Sequence, residues 1–412
     1  MTITDHSKQI NREIFVMIMP MILENILQIS AGLISTAMIG RLLASDVSAQ
    51  GICLRITDTL WCLYKGISIG TTILIARAHG AGNREQCRHV ANQTFLTEIP
   101  LAVFFSLLIS LFPLPILGFF SDDAILLLKA QQYIRIIVIG FPFVVIMSVV
   151  TATFQGHGDT KTPMIIAVIL NIVNILFGSV LIFGIPGVIT GFGIRGAAMA
   201  LVISQGVATA IGLFLLYRKK GLFGDTIIKK SLLKLDSSCV QEIYSTGIPA
   251  ALESMFWQFS SILLSKMILV YGSASFAAYQ IGIQAETITE MPAIGFGTAA
   301  TTLIARAIGK QDNELRKVYF KQLVGMSTKI SVVTSLLLIL LPYAFMRIMT
   351  TNEELIPIGA MYVFIMGFIQ IPQNLSRIYN GALRAAGYKQ VPMLVAGFGI
   401  WIIRIPLCFL IS

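Results

Sequence analysis

The chain has 412 residues, of which 56% are hydrophobic and 12% charged, and its mean hydropathy is +0.82; soluble domains are roughly 45–50% apolar and 25% charged. This composition excludes an ordinary soluble globular protein and points to a polytopic membrane protein. The formal net charge of +10 follows from membrane topology, so it gives no reason to expect a nucleic-acid partner.

The first twelve residues are polar and mix acid with base, so no cleavable signal peptide is expected before the first apolar run. Eleven apolar runs follow, at 14–39, 47–76, 90–120, 124–154, 162–184, 192–217, 243–271, 274–305, 318–346, 355–383 and 391–411. Each is long enough for the roughly 20 helical residues that cross a hydrocarbon core of about 30 Å. The expected fold is all-α, with eleven membrane helices. Pro20, Pro142, Pro249, Pro292 and Pro372 lie inside runs and predict bent helices packed on one another. The five cysteines show no CxxC pair and the four histidines do not cluster, so no disulfide framework, metal or other cofactor is expected. No GxSxG, HExxH or phosphate-loop pattern occurs in a context that would support catalysis, and an enzyme is not expected.

Basic residues set the orientation. With the N-terminus inside, inner segments hold 19 lysines and arginines and outer segments 4 (Arg41, Lys129, Arg195 and Arg347), as the positive-inside rule requires. The expected location is a bacterial inner membrane, crossed many times, with the N-terminus cytoplasmic.

An internal repeat organises the runs. A shift of 229 residues places MPMILE (19–24) over IPAALE (248–253), ILIARAHG (73–80) over TLIARAIG (302–309), and GDTKTPM (158–164) over GYKQVPM (387–393), without a gap. Six runs per repeat make the halves parallel, related by an axis along the membrane normal. The expected division is an N-lobe at 1–217, a basic linker at 218–238 and a C-lobe at 239–412. The sixth run has no mate within the chain, so a twelfth helix is expected to be missing. Gly158 and Gly387 suit left-handed turns after helices, and Pro163 and Pro392 suit first helical turns.

Acids inside apolar runs are costly and mark functional candidates. At 1.5 Å per residue, Glu24, Asp58, Glu253 and Glu286 each lie about 15–18 Å into their runs, near the midplane. Glu24 and Glu253 are repeat mates and are expected to face one another or to occupy matching lobe interiors. Glu286 and Glu290 share a helix face, with no base on their own run. The second run, by contrast, carries Arg55, Asp58 and Lys65 on one face. Glu253, Glu286 and Glu290 are therefore the expected proton or cation site. Glu24, Asp58, Met255, Trp257, Gln373 and Arg377 are the expected cavity lining. Arg55, Lys65, Pro20, Pro249 and Pro292 are expected to serve structure or gating. Glu98, beside Thr94, Thr97 and Pro100, is read mainly as support for a helix bend.

Three segments resemble the multidrug and toxic compound extrusion (MATE) family of antiporters: QGHGDTKTPMIIAVILNIVNILFGSVLIFG (155–184), FAAYQIGIQAETITEMPAIGFGTAATTLIARAIGKQD (276–312) and GALRAAGYKQVPM (381–393). The resemblance implies two six-helix lobes around a central cavity. It also implies export of small cationic or amphipathic compounds in exchange for H⁺ or Na⁺, by a protein expected to act as a monomer in the lipid bilayer. Many relatives carry an aspartate where this chain has Ser35, a glutamate at the position of Trp257 and an aspartate near Gln373. Some relatives also carry an aspartate where this chain has Gly178. These departures move the expected acidic function to the C-lobe. The alternative within this architecture is a flippase of a lipid-linked saccharide precursor, which would use cavity cations such as Arg55, Lys65 and Arg377.

Overall fold

A computed structural model describes residues 3–120, 122–185, 187, 189–218, 221–224, 234–350 and 352–411. Lys219, Lys220, Lys229 and Lys230 of the expected linker lie outside the described residues. The first repeat forms α1 (Ile3–Ile39), α2 (Ala44–Gly80), α3 (Arg84–Leu111), α4 (Pro113–Gly118), α5 (Ala124–His157), α6 (Lys161–Phe183) and α7 (Ile194–Tyr217). The second forms α8 (Ser237–Leu269), α9 (Ser273–Gly309), α10 (Asn313–Leu340), α11 (Pro342–Met349), α12 (Leu355–Ala386), α13 (Val391–Gly397) and α14 (Ile405–Ile411). A π-helical stretch, Phe398–Arg404, joins the last two, and a two-residue hairpin pairs Gly184–Ile185 with Ile189–Thr190.

Each apolar run forms helix, with two refinements. The runs at 90–120 and 318–346 each break once, at the repeat mates Pro113 and Pro342, which start short helices of their own. Among the described residues, ten helices are long and apolar enough to cross a membrane. The 33-residue α8 is not among them, because Glu253, Gln258 and Lys266 dilute its apolar stretch. Large side chains such as Phe119, Leu128, Phe214, Leu340, Phe368 and Leu410 remain exposed, as a lipid-facing surface requires. The chain is a multi-pass membrane protein.

The helix ends obey local chemistry, and they obey it twice. Asn83 caps α3 by accepting from Gln86 N at 2.9 Å, and its mate Asp312 caps α10 by accepting from Leu315 N at 2.9 Å; an N-cap oxygen satisfies one otherwise orphaned amide. Gly158 and Gly387 close α5 and α12 at φ 88° and 102°. Across these turns Asp159 N donates to Phe154 O and Tyr388 N to Leu383 O, both at 2.9 Å, the double turn that glycine at positive φ permits.

Packing divides the chain into two compact units, one holding 1–22, 80–82 and 249–412, the other 23–79 and 83–248. Relative to the lobes read from the repeat, residues 1–22, 80–82 and 239–248 fall on the other side. The divisions fall beside Pro20 and at its mate Pro249, inside helices that stay continuous. A helical proline removes one backbone hydrogen bond and crowds the preceding turn.

Close glycine crossings hold the leading halves of α1 and α8 in their units. A Cβ on Gly70 would stand 2.6 Å from Ile243 O, and one on Gly247 would stand 2.6 Å from Ile67 Cα. In the other unit, a Cβ on Gly295 would meet Ile22 at 3.0 Å and Ile18 at 3.4 Å. At the end of the linker, Asp236 accepts from Ser238 N and Cys239 N at the start of α8 and meets His89 Nε2 of α3 at 2.9 Å. Gln93 adds a clamp, donating to Lys234 O and accepting from Asp236 N.

Two outcomes follow. Gly70→Leu forces a side chain into a backbone contact, so it lowers stability in detergent by about 1–3 kcal/mol, whereas the exposed Gly51→Leu leaves the thermal midpoint near wild type. Its hydrogen bonds to Ser238, His89 and Cys239 hold the Asp236 carboxyl down at about 2, below its ordinary 3.8. A depressed carboxylate stabilises above its unfolded value and loses that contribution as pH falls through the folded one. Asp236→Ala is therefore less stable than wild type at neutral pH, and denaturation midpoints of the two converge between pH about 4 and about 2.

Candidate functional site

The expected acids of the C-lobe gather against α12 in two hydrogen-bonded groups, one at Glu253 and one at Glu286 and Glu290, and Arg377 of the second acts electrostatically on Glu253 of the first. Glu253 of α8 pairs with Arg384 and accepts from Asn380 Nδ2 at 3.1 Å. Glu290 of α9 pairs with Arg377, and Gln373 Nε2 bridges Glu290 at 3.4 Å to Glu286 at 3.3 Å. Tyr362 donates its hydroxyl to Glu286 at 2.7 Å. The expectation that these acids stand without counter-charge is corrected: α9 has no base beside them, but the facing helix supplies two. Helix α9 packs on α12 along much of its length, and polar residues of α12 recur every three or four positions, from Gln373 through Arg377 and Asn380 to Arg384, so they share a face and meet the same two neighbours.

The charge count within this network is informative. Three carboxylates meet two guanidiniums, leaving one negative charge uncompensated by any base that hydrogen-bonds there. Glu286 is the acid without one; it is 8% exposed and held only by neutral donors. Arg404, in the π-helical stretch, acts electrostatically on Tyr362, but its guanidinium lies over the Trp257 ring, 5.6 Å from the centroid. Trp257 is half exposed and Met255 half buried, and the neighbouring Phe256 packs edge-on against Trp401 at 6.4 Å.

The other unit holds the mate of this site with different chemistry. Glu24 of α1 accepts from Gln155 Nε2 at 3.3 Å and from Gln28 Nε2 at 3.4 Å. Gln155 is the repeat mate of Arg384, so one geometry carries an amide in the first half and a guanidinium in the second. Glu24 and Glu253 are each buried inside one unit, against repeat-mate partners of different chemistry. Near Glu24, Asn171 donates to Leu27 O at 3.0 Å, and Ser35 is 7% exposed.

Arg55, Asp58 and Lys65 are all exposed, and Arg55 is the base that acts on Asp58 electrostatically. Pro292 follows Glu290 by two residues inside α9, and Pro372 precedes Gln373 inside α12, so backbone irregularity borders the polar cluster. Tyr362, Asn380 and Arg384 were not among the expected site residues. Arg384 carried a detectable sign, its alignment over Gln155 opposite the aligned glutamates.

A second pair of mates occupies the leading ends of α1 and α8. Glu13 accepts from Arg306 Nη1 at 3.2 Å and from Tyr319 Oη at 3.0 Å. Its mate Glu242 lies 4.0 Å from Arg77 Nη1, the mate of Arg306.

The MatE family model matches residues 20–180 and 249–410, one match per repeat. The "Probable multidrug resistance protein NorM" of Thermotoga maritima is 29% identical over 401 residues, spanning 97% of this chain and 85% of the relative. The "Probable multidrug resistance protein YoeA" of Bacillus subtilis is 28% identical over 408 residues, spanning 97% and 87%. Among solved structures, a mutant of the Vibrio cholerae MATE transporter VcmN superposes with a TM-score of 0.90 at 19% identity, covering 97% of this chain and 89% of that one. With both repeats matched by the same family model, the chain belongs to the MatE family.

Proposed function

We propose that the protein exports small cationic or amphipathic compounds across a bacterial inner membrane, N-terminus inside, in exchange for H⁺ or Na⁺. Membership of the MatE family and the multidrug resistance names of its relatives support the reading. The observation that carries it is the single uncompensated carboxylate of the network, Glu286. A lone buried negative charge is stable only with a monovalent cation or a proton beside it. Drug and coupling ion then compete for one carboxylate, and exchange follows because the empty, charged site is the costly state.

Two lobes giving alternating access provide the transport path. The proline mates Pro20 and Pro249, with Pro292, supply places where α1, α8 and α9 can bend. The linkage is thermodynamic: an ion shifts the access equilibrium only as far as its affinity differs between the two states. Glu253 and Glu290 remain with their arginines and orient the site, and Met255, Trp257, Gln373 and Arg377 surround the drug. A lipid-linked saccharide precursor comes second, since Arg377 and Arg384 already face carboxylates and offer less charge to a diphosphate.

Ethidium efflux from proteoliposomes under an imposed pH gradient, or an imposed Na⁺ gradient, tests the reading. Wild type responds to one of the two gradients, and Glu286→Gln lowers the gradient-driven rate by about 10- to 100-fold. A wild type indifferent to both gradients overturns ion-coupled efflux. The buried pair gives a further outcome. Glu253→Gln alone strands Arg384 and costs about 3–5 kcal/mol, whereas Glu253→Gln with Arg384→Gln, which removes both charges, recovers much of the loss in thermal unfolding.

A further inference from the structure

Glu98 of α3 is a carboxyl group that no part of the mechanism above uses. It is 0% exposed, and neither of its oxygens has a hydrogen-bond partner. Helix α3 runs from Arg84 to Leu111, so Glu98 stands at its middle, about 20 Å from either end at 1.5 Å per residue. Among the described residues no base forms an ion pair with it. The titratable groups within electrostatic reach are Tyr64 of α2 and Tyr244 of α8. Tyr64 is also 0% exposed and its hydroxyl also lacks a partner; its ring packs edge-on against Phe141 of α5 at 5.4 Å. Tyr64, Phe141, Val145 and Ala102 form an apolar cluster one turn from the carboxyl.

The neighbouring oxygens are already engaged. Thr94 Oγ1 donates to Val90 O at 2.9 Å and meets Thr71 Oγ1 at 3.1 Å, and Thr97 Oγ1 donates to Gln93 O at 2.9 Å. A sodium ion needs several oxygen ligands, and here it would find the carboxylate with little else. A proton needs only one lone pair.

The fold itself does not require an acid at this point. The repeat mate of Glu98 is Ser327, 1% exposed in the corresponding place on α10. There three of the four mates of the apolar cluster are polar, Tyr64 being matched by Ala293: Asn374 Nδ2 donates to Ser331 Oγ at 2.9 Å, and Gln370 is 0% exposed. The second repeat thus packs a polar seam without an acid, while the first packs an apolar cluster with one. An unpaired carboxylate in such surroundings costs several kcal/mol, and a bend at Pro100 needs no carboxyl.

We propose that Glu98 is a proton-binding site of the first repeat, carrying a proton that is exchanged during transport, within electrostatic reach of the equally buried and unpartnered Tyr64 hydroxyl. The inference rests on the efflux reading above and deepens it by assigning one coupling proton to this residue. On release the O–H bond of the carboxylic acid breaks, the electron pair stays on the carboxylate and the proton passes to water.

Infrared difference spectroscopy on the reconstituted protein, with pH and H₂O/D₂O exchange, reads the site directly. Wild type shows a carboxylic acid carbonyl band, weakly hydrogen-bonded and sensitive to deuterium, that titrates and is absent from Glu98→Gln. In parallel, Glu98→Gln loses about tenfold or more of its pH-driven ethidium efflux while ethidium–ethidium exchange continues. Glu98→Ser, which copies the second repeat, serves if the glutamine variant fails to fold. Identical infrared spectra in wild type and variant overturn the proposal, as does full pH-driven efflux in Glu98→Gln. A wild type driven by Na⁺ and not by pH refutes the exchanged proton yet leaves ion-coupled efflux standing.

Discussion

A carboxylate in a helix that crosses hydrocarbon has to find its counter-charge or hydrogen-bond donors on a neighbouring helix, because lipid supplies neither. In the second repeat this requirement positions α12 against α8 and α9, since Arg377, Asn380 and Arg384 reach acids on both. In the first repeat Gln155 and Gln28 meet Glu24 with amides, which solvate a carboxylate without cancelling its charge. The mated pairs thus keep one geometry and differ in charge, Glu24 with Gln155 carrying no counter-charge and Glu253 with Arg384 being compensated.

The repeat extends below the sequence signal into the hydrogen bonds. Mates cap the same helices, close the same turns and pair the same positions: Glu24 with Gln155 against Glu253 with Arg384, and Gln50 with Tyr133 against Tyr279 beside Tyr362. What varies is side-chain chemistry at fixed backbone sites. Duplication supplied the scaffold, and substitution divided the electrostatic roles between the halves.

The helices, the repeat and the glycine turns at 158 and 387 were legible because each depends on residues close in sequence. The acid network was only half legible. Glu253, Glu286 and Glu290 stand out against apolar neighbours, but their partners lie 76 to 131 residues away, and periodicity on one helix says nothing about which face of another it meets. Hence α9 read as unneutralised when its base was on α12. Asp58 looked buried by depth along its run, yet depth does not give the direction a side chain faces, and it is exposed. Glu98 was discounted for its threonine and proline neighbours, although those threonines bond to their own helix and leave the carboxyl bare.

The glycine crossings and the Glu–Arg mates carry a consequence for ancestry. The leading half of α1 packs on α9 through Gly295 and Arg306, and the leading half of α8 packs on α2 through Gly70 and Arg77. Each repeat lends its first half-helix to the other, as protomers do in a swapped dimer. A chain holding a single repeat could satisfy Glu13-type and Arg77-type partners only by exchanging that segment with a second copy. The fused chain makes the exchange intramolecular, so the two copies no longer have to find each other and each can change its chemistry independently.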